Sequence, residues 1–535
     1  MSESAHTLTV QSGGTTTTLA VAPGLSVREA LDATSLRVRA ACGGTGSCGA
    51  CTVRYVAGSA SPPTVAEYTK LTAEERAEGI RLACQLRLDG DMEILLEHPA
   101  PPSPWKSIAP EDLLTIDARL SDLQAHIYGV AVDLGTTHIR VSLWDRKHGQ
   151  RIATRCGPNP QASFGADVLN RLAAARKPEH ARELARLARD AVIEAIHDML
   201  ARDVGEVTPM MAEIGHVVIA GNTAMLALLT GRGGEDLLDP ENWQRAIDCV
   251  PGDDPDWQAA WHLPNARIEV LPPVAGFVGS DLIADFVATG FTEGPPGALL
   301  IDVGTNIEIA LWDGKTVHVT SVPGGPAFES GGVAFGMPAE PGAICAVRRS
   351  DAGFDLDVIG GGEARGYCGS GLLDAVAAML EVGILKPSGR FAIPCPAEGY
   401  RLDPANPRTA ITGNAVDAFQ RAKAAMAAAI RVLLAEAGMQ RDRIGRLFVC
   451  GAFGRQLNGG HARAAGLLPP LPMARQWLFG DATLGGCEAL LLRPETKPAL
   501  TQLANCLRFI NVTLVIWYED AYIEELRLRE VPAAE

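Results

Sequence analysis

The sequence predicts a multidomain α/β protein, and three observations carry that reading. Four cysteines gather near the N-terminus, a proline-rich stretch follows them, and the remainder contains the same strand–turn–strand motif twice. At 535 residues the chain has room for several domains. Its 47 basic and 63 acidic residues give a formal charge of −16, which disfavours nucleic acid or an anionic membrane as a main partner. No run of about 18 apolar residues is present, so no membrane span is expected. The start Met1-Ser2-Glu3-Ser4 lacks the basic and apolar regions of a signal peptide, so the expected compartment is the cytoplasm.

The cysteines are Cys42, Cys48, Cys51 and Cys84, spaced C-x5-C-x2-C and then far along the chain. Three thiolates in one Gly-rich loop plus one distant thiolate can wrap a [2Fe–2S] cluster, two sulfurs per iron. The glycines between Cys42 and Cys51 let backbone curl around an inorganic core and turn amides toward sulfide. A structural zinc site would show two short pairs instead. A disulfide framework does not suit 12 cysteines in so long a chain. The other eight cysteines are expected as small buried apolar residues, Cys368 among them at a helix start. Upstream, Leu8-Thr9-Val10 and Thr18-Leu19-Ala20-Val21 flank a Gly-Gly turn and read as a hairpin. Ser26-Val27-Arg28-Glu29 is a capping box that opens a short helix.

His98-Pro99-Ala100-Pro101-Pro102-Ser103-Pro104 marks a semi-stiff break. The apolar spacing of Leu113, Leu114, Ile116, Leu120 and Leu123 predicts a linker helix over residues 110–124. The repeat comes next. One copy runs from Gly129 through Asp133, Leu134, Gly135, Thr136 and Thr137 into an apolar strand at Ile139–Trp144. The other runs from Ala298 through Asp302, Val303, Gly304, Thr305 and Asn306 into Ile307–Trp312. A glycine at such a turn lets amides approach phosphate, and the hydroxyl or amide side chain adds a donor. The Asp can hold a hydrated Mg²⁺ beside that phosphate. Two copies suggest duplicated domains that clamp one nucleotide. Val217–Thr223 reads as a buried strand ending in a polar turn at Gly221-Asn222. Leu447–Gly454 is an apolar strand ending in Gly451-Ala452-Phe453-Gly454, where glycines admit a flat base. Helical stripes over residues 181–202 and 414–437 complete the α/β pattern.

Residues 5–94 resemble β-grasp [2Fe–2S] ferredoxins with the longer first spacing. The repeat resembles the two RNase H-like domains of the actin, Hsp70 and sugar kinase superfamily. A ferredoxin and this ATPase fold in one chain resemble the reductive activators of corrinoid enzymes. Supporting stretches are Gly165–Leu172, Ala220–Thr223, Pro272–Asp281, Ile301–Glu308, Gly325–Glu329 and Gly366–Gly371. The implied layout is a ferredoxin domain at 1–94, a linker at 95–126, and ATPase domains at 127–292 and 293–535. The implied activity is ATP-dependent transfer of one electron to inactive cobalt(II), which regenerates cobalt(I) in a methyltransferase system. The cofactors would be a [2Fe–2S] cluster on Cys42, Cys48, Cys51 and Cys84, ATP, and Mg²⁺. Gly135, Thr136, Thr137, Gly221, Asn222, Gly304, Thr305 and Asn306 would meet phosphates, and Gly451, Ala452 and Gly454 adenosine. Asp133 and Asp302 would bind Mg²⁺ or orient water, and Glu329 would act as general base. The partners would be a corrinoid protein or methyltransferase and a low-potential electron donor, with homodimerisation through the C-terminal half. An electron pump for another acceptor and a nucleotide-gated redox sensor are the alternatives. The particular methyltransferase is not written in the chain.

Overall fold

The structure is a computed structural model. It describes residues 6–40, 42–100, 103–117, 126–165, 167–205, 207–252, 254–304, 306–324, 333–351, 353–451, 457–493 and 496–530. The N-terminal unit has strands β1 (His6–Ser12), β2 (Thr15–Val21), β3 (Thr52–Ala60), β4 (Ile80–Leu82) and β5 (Leu88–Leu95), in the order β2-β1-β5-β3-β4. Gly13 and Gly14 take φ of 56° and 81°, the left-handed pair that a tight two-residue hairpin requires. Helix α1 (Val27–Asp32) starts at a complete Ser26/Glu29 capping box, as its sequence predicts. Leu8, Val10, Leu31, Leu82 and Ile94 are fully buried between this helix and the sheet. Each contributes on the order of 1.5–3 kcal/mol of burial. Cys51 and Cys84 belong to the same core, so packing fixes two of the four thiols. A second short helix, α2 (Val65–Lys70), lies near the cysteine loop.

The connector is a strap. Trp105 is buried against Gly157, and Lys106 exchanges backbone hydrogen bonds of 2.9 and 2.7 Å with Cys156. The helix expected over residues 110–124 does not form where the chain is described. A single 3₁₀ turn covers Pro110–Asp112, and residues 113–117 are non-helical. Arginines take the carbonyls that a helix would have used: Arg151 donates to Leu114 at 2.7 Å and Arg493 to Asp117 at 2.6 Å. The apolar spacing serves packing instead, with Leu113 and Ile116 against the core around Leu484 and Leu490. Leu120 and Leu123 lie outside the described residues.

Two sheets follow with one topology. Strands β6 (Tyr128–Leu134), β7 (His138–Asp145), β8 (Gln150–Pro158), β9 (Ile214–Gly221) and β10 (Arg267–Val270) are ordered β8-β7-β6-β9-β10. Strands β11 (Ala298–Val303), β12 (Asn306–Trp312) and β13 (Val317–Pro323) open the next sheet. A small sheet of β14 (Ala343–Ser350), β15 (Gly353–Val358) and β16 (Gly366–Tyr367) intervenes, then the pair β17 (Tyr400–Arg401) and β18 (Ala410–Ile411). Strands β19 (Arg446–Cys450) and β20 (Gln476–Leu478) complete the order β13-β12-β11-β19-β20, and β21 (Leu507–Phe509) adds beside β13. In both sheets the first two strands are antiparallel and the fourth runs parallel to the first. Asp133 sits beside Ala220, just before Gly221. Asp302 sits beside Cys450, just before Gly451. The duplication read from the repeat is therefore kept residue for residue.

The helices used below are α3 (Pro178–Met199), α4 (Ser280–Thr289), α5 (Gly369–Glu381), α6 (Gly413–Glu436) and α7 (Ala482–Leu492). The two sheets trade helices. Leu282 and Phe286 of α4 pack with Leu300 and Ala310 of the later sheet. Leu484, Leu490 and Leu491 of α7 pack with Ala131 and Val218 of the earlier one. The two helices cross where the position of a Cβ on Gly486 would be 2.0 Å from the Ala284 carbonyl oxygen. Of the eight cysteines expected to be buried, Cys249, Cys368, Cys450 and Cys487 are; Cys156, Cys345, Cys395 and Cys506 are partly exposed. Cys156 lies on the edge strand β8, and Cys345 on β14, the central strand of the small three-stranded sheet. Among the described residues no helix is long and apolar enough to cross a membrane.

The crossing gives a sharp expectation. Gly486→Val must push α4 and α7 apart, at a cost of about 1–3 kcal/mol for overpacking or more. Thermal unfolding should show a lower melting temperature, and an unchanged one would contradict the backbone contact.

Candidate functional site

Two sites emerge. The first is the cysteine loop. Gly43, Gly44, Gly46 and Gly49 all take positive φ, so the loop curls as side-chain-bearing residues rarely can. Cys51 and Cys84 sulfurs stand 3.3 Å apart and are buried, whereas Cys48 is exposed. Two of the four sulfurs, Cys42 and Cys84, favour the thiolate. Burial would raise Cys42, but hydrogen bonds from Cys48, Thr45 and Ser47 outweigh it and bring it down to about 6. Cys84 is drawn down to about 7, first by its hydrogen bond from Cys51, against burial, and further by the Gln85 amide and the Arg28 charge. The Cys51 thiol, holding the shared proton, is pushed up. Two close sulfur pairs, each with one acidified member, fit thiolate ligation of a two-iron cluster.

The second site is the seam between the duplicated sheets. Asp133 and Asp302 end their strands facing it and are joined by Asp281 and Asp285 of α4 and by Glu308 of β12. Arg140 of β7 pairs with Asp133 at 3.2 Å and with Asp481, at the start of α7, at 3.0 Å. Thr483 donates to Asp285 at 3.0 Å, and Ser321 to Glu308 at 3.1 Å. Burial raises the carboxyls: Asp133 to about 6, with Arg140 opposing and Asp481 adding, and Asp302 to about 7, with Asp133 adding. Asp281 reaches about 8 through burial and then Asp302. Asp285 and Glu308 are raised for the same two reasons. Among the described residues no three such groups converge closely enough to cage a bare ion. Mg²⁺ beside phosphate needs only one or two carboxylates, since it keeps most of its waters.

Glycines shape the walls. A Cβ on Gly451, whose φ is 85°, would lie 2.5 Å from Asp302 Oδ1. A Cβ on Gly279 would lie 2.4 Å from the Gly221 carbonyl oxygen and 2.7 Å from Asp281 Oδ1. The first hairpin is tied from behind. Asn159 Nδ2 donates to the Gly135 carbonyl at 2.9 Å, Arg171 to that of Thr136 at 2.8 Å, and the Asn159 amide to that of Thr137 at 2.8 Å. Carbonyls held back leave a turn's amides for an incoming anion. Asn222 donates to Thr136 Oγ1 at 2.9 Å, which brings the polar turn after β9 onto the hairpin. In the second hairpin the Gly304 amide donates to Asn306 across the turn at 3.0 Å.

The described sequence-derived residues thus meet at one seam: Asp133, Gly135, Thr136, Thr137, Gly221 and Asn222 from one sheet, Asp302, Gly304, Asn306 and Gly451 from the other. Thr305, Glu329, Ala452 and Gly454 lie outside the described residues. Sequence reading missed Arg140, Asp281, Asp285, Glu308 and Asp481. Two of these left a signal. Glu308 interrupts an apolar strand, Asn306–Trp312, and Asp285 lies one turn after Asp281 on a mostly apolar helix. A lone carboxylate among residues that must be buried needs a partner or a proton.

Comparison with known proteins agrees with this geometry. The family description of a 2Fe-2S iron–sulfur cluster binding domain matches residues 10–89. That of the RACo middle region matches 128–294, and that of the C-terminal domain of RACo, the ASKHA domain, matches 297–534. The chain is 27% identical to the corrinoid activation enzyme RamQ of Eubacterium limosum over 69% of this chain and 65% of that protein. It is 26% identical to the [Co(II) methylated amine-specific corrinoid protein] reductase of Methanosarcina barkeri over 71% of this chain and 72% of that one. The match therefore spans just under two thirds of the first relative. A solved structure of a reductive activator for corrinoid, iron–sulfur protein superposes with a TM-score of 0.62 at 24% identity, over 97% of this chain and 98% of that one, which shows a common fold. With the iron–sulfur, middle and ASKHA regions matched in order along nearly the whole length, the chain belongs to the RACo family.

Proposed function

We propose that this protein spends ATP to drive one-electron reduction of cobalt(II) in a corrinoid protein, returning it to cobalt(I). The observation that carries this is the union, in one chain, of four cysteines gathered in two close pairs and a duplicated acidic seam. The relatives' printed activities support it. A [2Fe–2S] cluster supplies single electrons, near about −400 mV in plant-type centres. Each further 59 mV that the acceptor lies below costs about tenfold in equilibrium. Cys42, Cys48, Cys51 and Cys84 would hold that cluster.

At the seam, Gly135, Thr136, Thr137, Gly304 and Asn306 receive phosphate oxygens, helped by Gly221 and Asn222. Gly451 admits adenosine. Thr305, Ala452 and Gly454 complete the proposed set, with Glu329 as the base proposed from sequence. Asp133 and Asp302 hold Mg²⁺ through its water. Asp302, raised to about 7, is also suited to take a proton from attacking water near neutrality. Arg140 fixes Asp133 between the sheets. Closing the seam on nucleotide moves one sheet against the other, and the strap, bonded to both β8 and α7, feels that movement. The partner would be a corrinoid methyltransferase protein, the donor a low-potential reductant, and the working state a homodimer.

Adding a cobalt(II) corrinoid protein should accelerate ATP hydrolysis by this chain. Asp302→Asn should lower that hydrolysis by about 10²–10⁴-fold, the usual worth of a general base, and leave the visible bands of the cluster in place. Hydrolysis indifferent to every corrinoid protein would favour a nucleotide-gated sensor.

The acidic seam sets a pH dependence. Asp133, Asp302 and Asp281 are raised from 3.8 to about 6, 7 and 8, so the stability they contribute as protonated acids is present below about pH 4 and is lost as pH rises from there through those values. Mg²⁺ must displace those protons. The melting-temperature gain from Mg-nucleotide should therefore grow from pH 6 to pH 8. A gain independent of pH would show that these carboxyls do not meet the metal.

A further inference from the structure

The N-terminal unit docks on the second unit through charge. Arg28, Asp32 and Arg37 face Arg155, Asp198, Arg202 and Asp203. Arg37 grips Asp198 with two nitrogens, at 3.0 and 2.8 Å, and Arg202 pairs with Asp32. Arg155 joins Asp198 to Asp203, the latter at 2.6 Å. All four arginines are more than nine-tenths buried.

A helix end lies in the same interface. After α3 the chain runs on as a π turn over Leu200–Val204. Such an end carries carbonyls without intrahelical partners and about half a negative charge. Arg28 donates to the Arg202 carbonyl and reaches the Asp203 carboxylate at 3.3 Å. A Cβ on Gly43 would lie 2.5 Å from the Asp203 carbonyl oxygen and 2.8 Å from that of Val204. Gly43 directly follows Cys42. Arg28 also borders the loop, 3.4 Å from where a Cβ on Gly44 would be. Docking therefore brings the carbonyls of a helix end against the cysteine loop, and it sets a carboxylate that also pairs with Arg155 against Arg28, a buried cation bordering that loop.

We propose that docking on this helix end lowers the reduction potential of the cluster, and that reduction in turn loosens the docking. The proposal rests on the [2Fe–2S] reading. One electron from a low-potential donor adds one negative charge to a group already anionic with four thiolates. The helix carbonyls oppose that charge in a low dielectric, and Asp203, by engaging Arg28, reduces the support that this cation gives. The coupling is reciprocal, since whatever docking does to the potential, reduction does to docking. A tenfold coupling, ordinary for such linkage, equals about 59 mV for one electron. An oxidised unit rests on the second unit, and a reduced one is released to present its electron to a partner.

Redox titration of the full-length chain, followed by the electron paramagnetic resonance of the reduced cluster, tests this. Asp203→Asn removes the carboxylate that engages Arg28, and Asp198→Asn weakens docking away from the loop. Both should make reduction up to tenfold easier, a rise of up to about 59 mV. In the wild-type chain, hydrogen exchange over residues 198–204 should quicken when the cluster is reduced, which needs no variant to fold. An unshifted potential in Asp203→Asn, or exchange indifferent to redox state in the wild type, overturns the proposal. No resonance from the reduced wild-type chain would instead sink the cluster reading, and the proposal with it.

Discussion

Mutual repulsion among buried carboxyls at the seam is the constraint around which the two-sheet body is built. Asp133, Asp281, Asp285, Asp302 and Glu308 crowd a place where burial alone already disfavours their charge. Arg140, half-buried, is shared between Asp133 and Asp481 and cannot by itself neutralise the set. Burial favours the protonated acids there, so they hold protons that carboxylic acids ordinarily lose well below neutrality. A divalent cation held at the seam would favour their charged forms instead.

The rest of the architecture holds those carboxyls in register. Duplicate sheets deliver Asp133 and Asp302 from equivalent strand positions, each followed on the neighbouring strand by a glycine. The exchanged helices α4 and α7 supply Asp281, Asp285 and Asp481, and their close crossing at Gly486 sets how far the sheets can part. The strap reaches both halves, with Lys106 on β8 and Leu114 against Gly485. The cysteine loop is tied to the same frame by the arginine network. The cysteine unit and the acidic seam are therefore joined by packed elements, as the proposed coupling of hydrolysis to electron transfer requires.

Much of this was legible in the residues because the signals are local. The cysteine spacing, the Ser26 capping box and the repeated Asp-x-Gly-Thr turn each depend on a few neighbouring residues, and each lies where the sequence put it. The linker shows the opposite case. Leu113, Leu114 and Ile116 carry helical spacing, yet tertiary contacts with α7 and two arginines claimed the segment. Arg140, Asp281, Glu308 and Asp481 were invisible as a set because four separate elements bring them together. The arginine network was invisible for the same reason. Nothing about Arg28 or Asp203 alone announces that they meet.

The measurement that bears most directly on the account is an anaerobic visible spectrum of a cobalt(II) corrinoid protein mixed with this chain and a strong reductant, with and without Mg-ATP. The account expects a cobalt(I) band that grows only with ATP and is absent with Cys48→Ser. A band that grows equally without ATP, or with the cysteine variant, would contradict it.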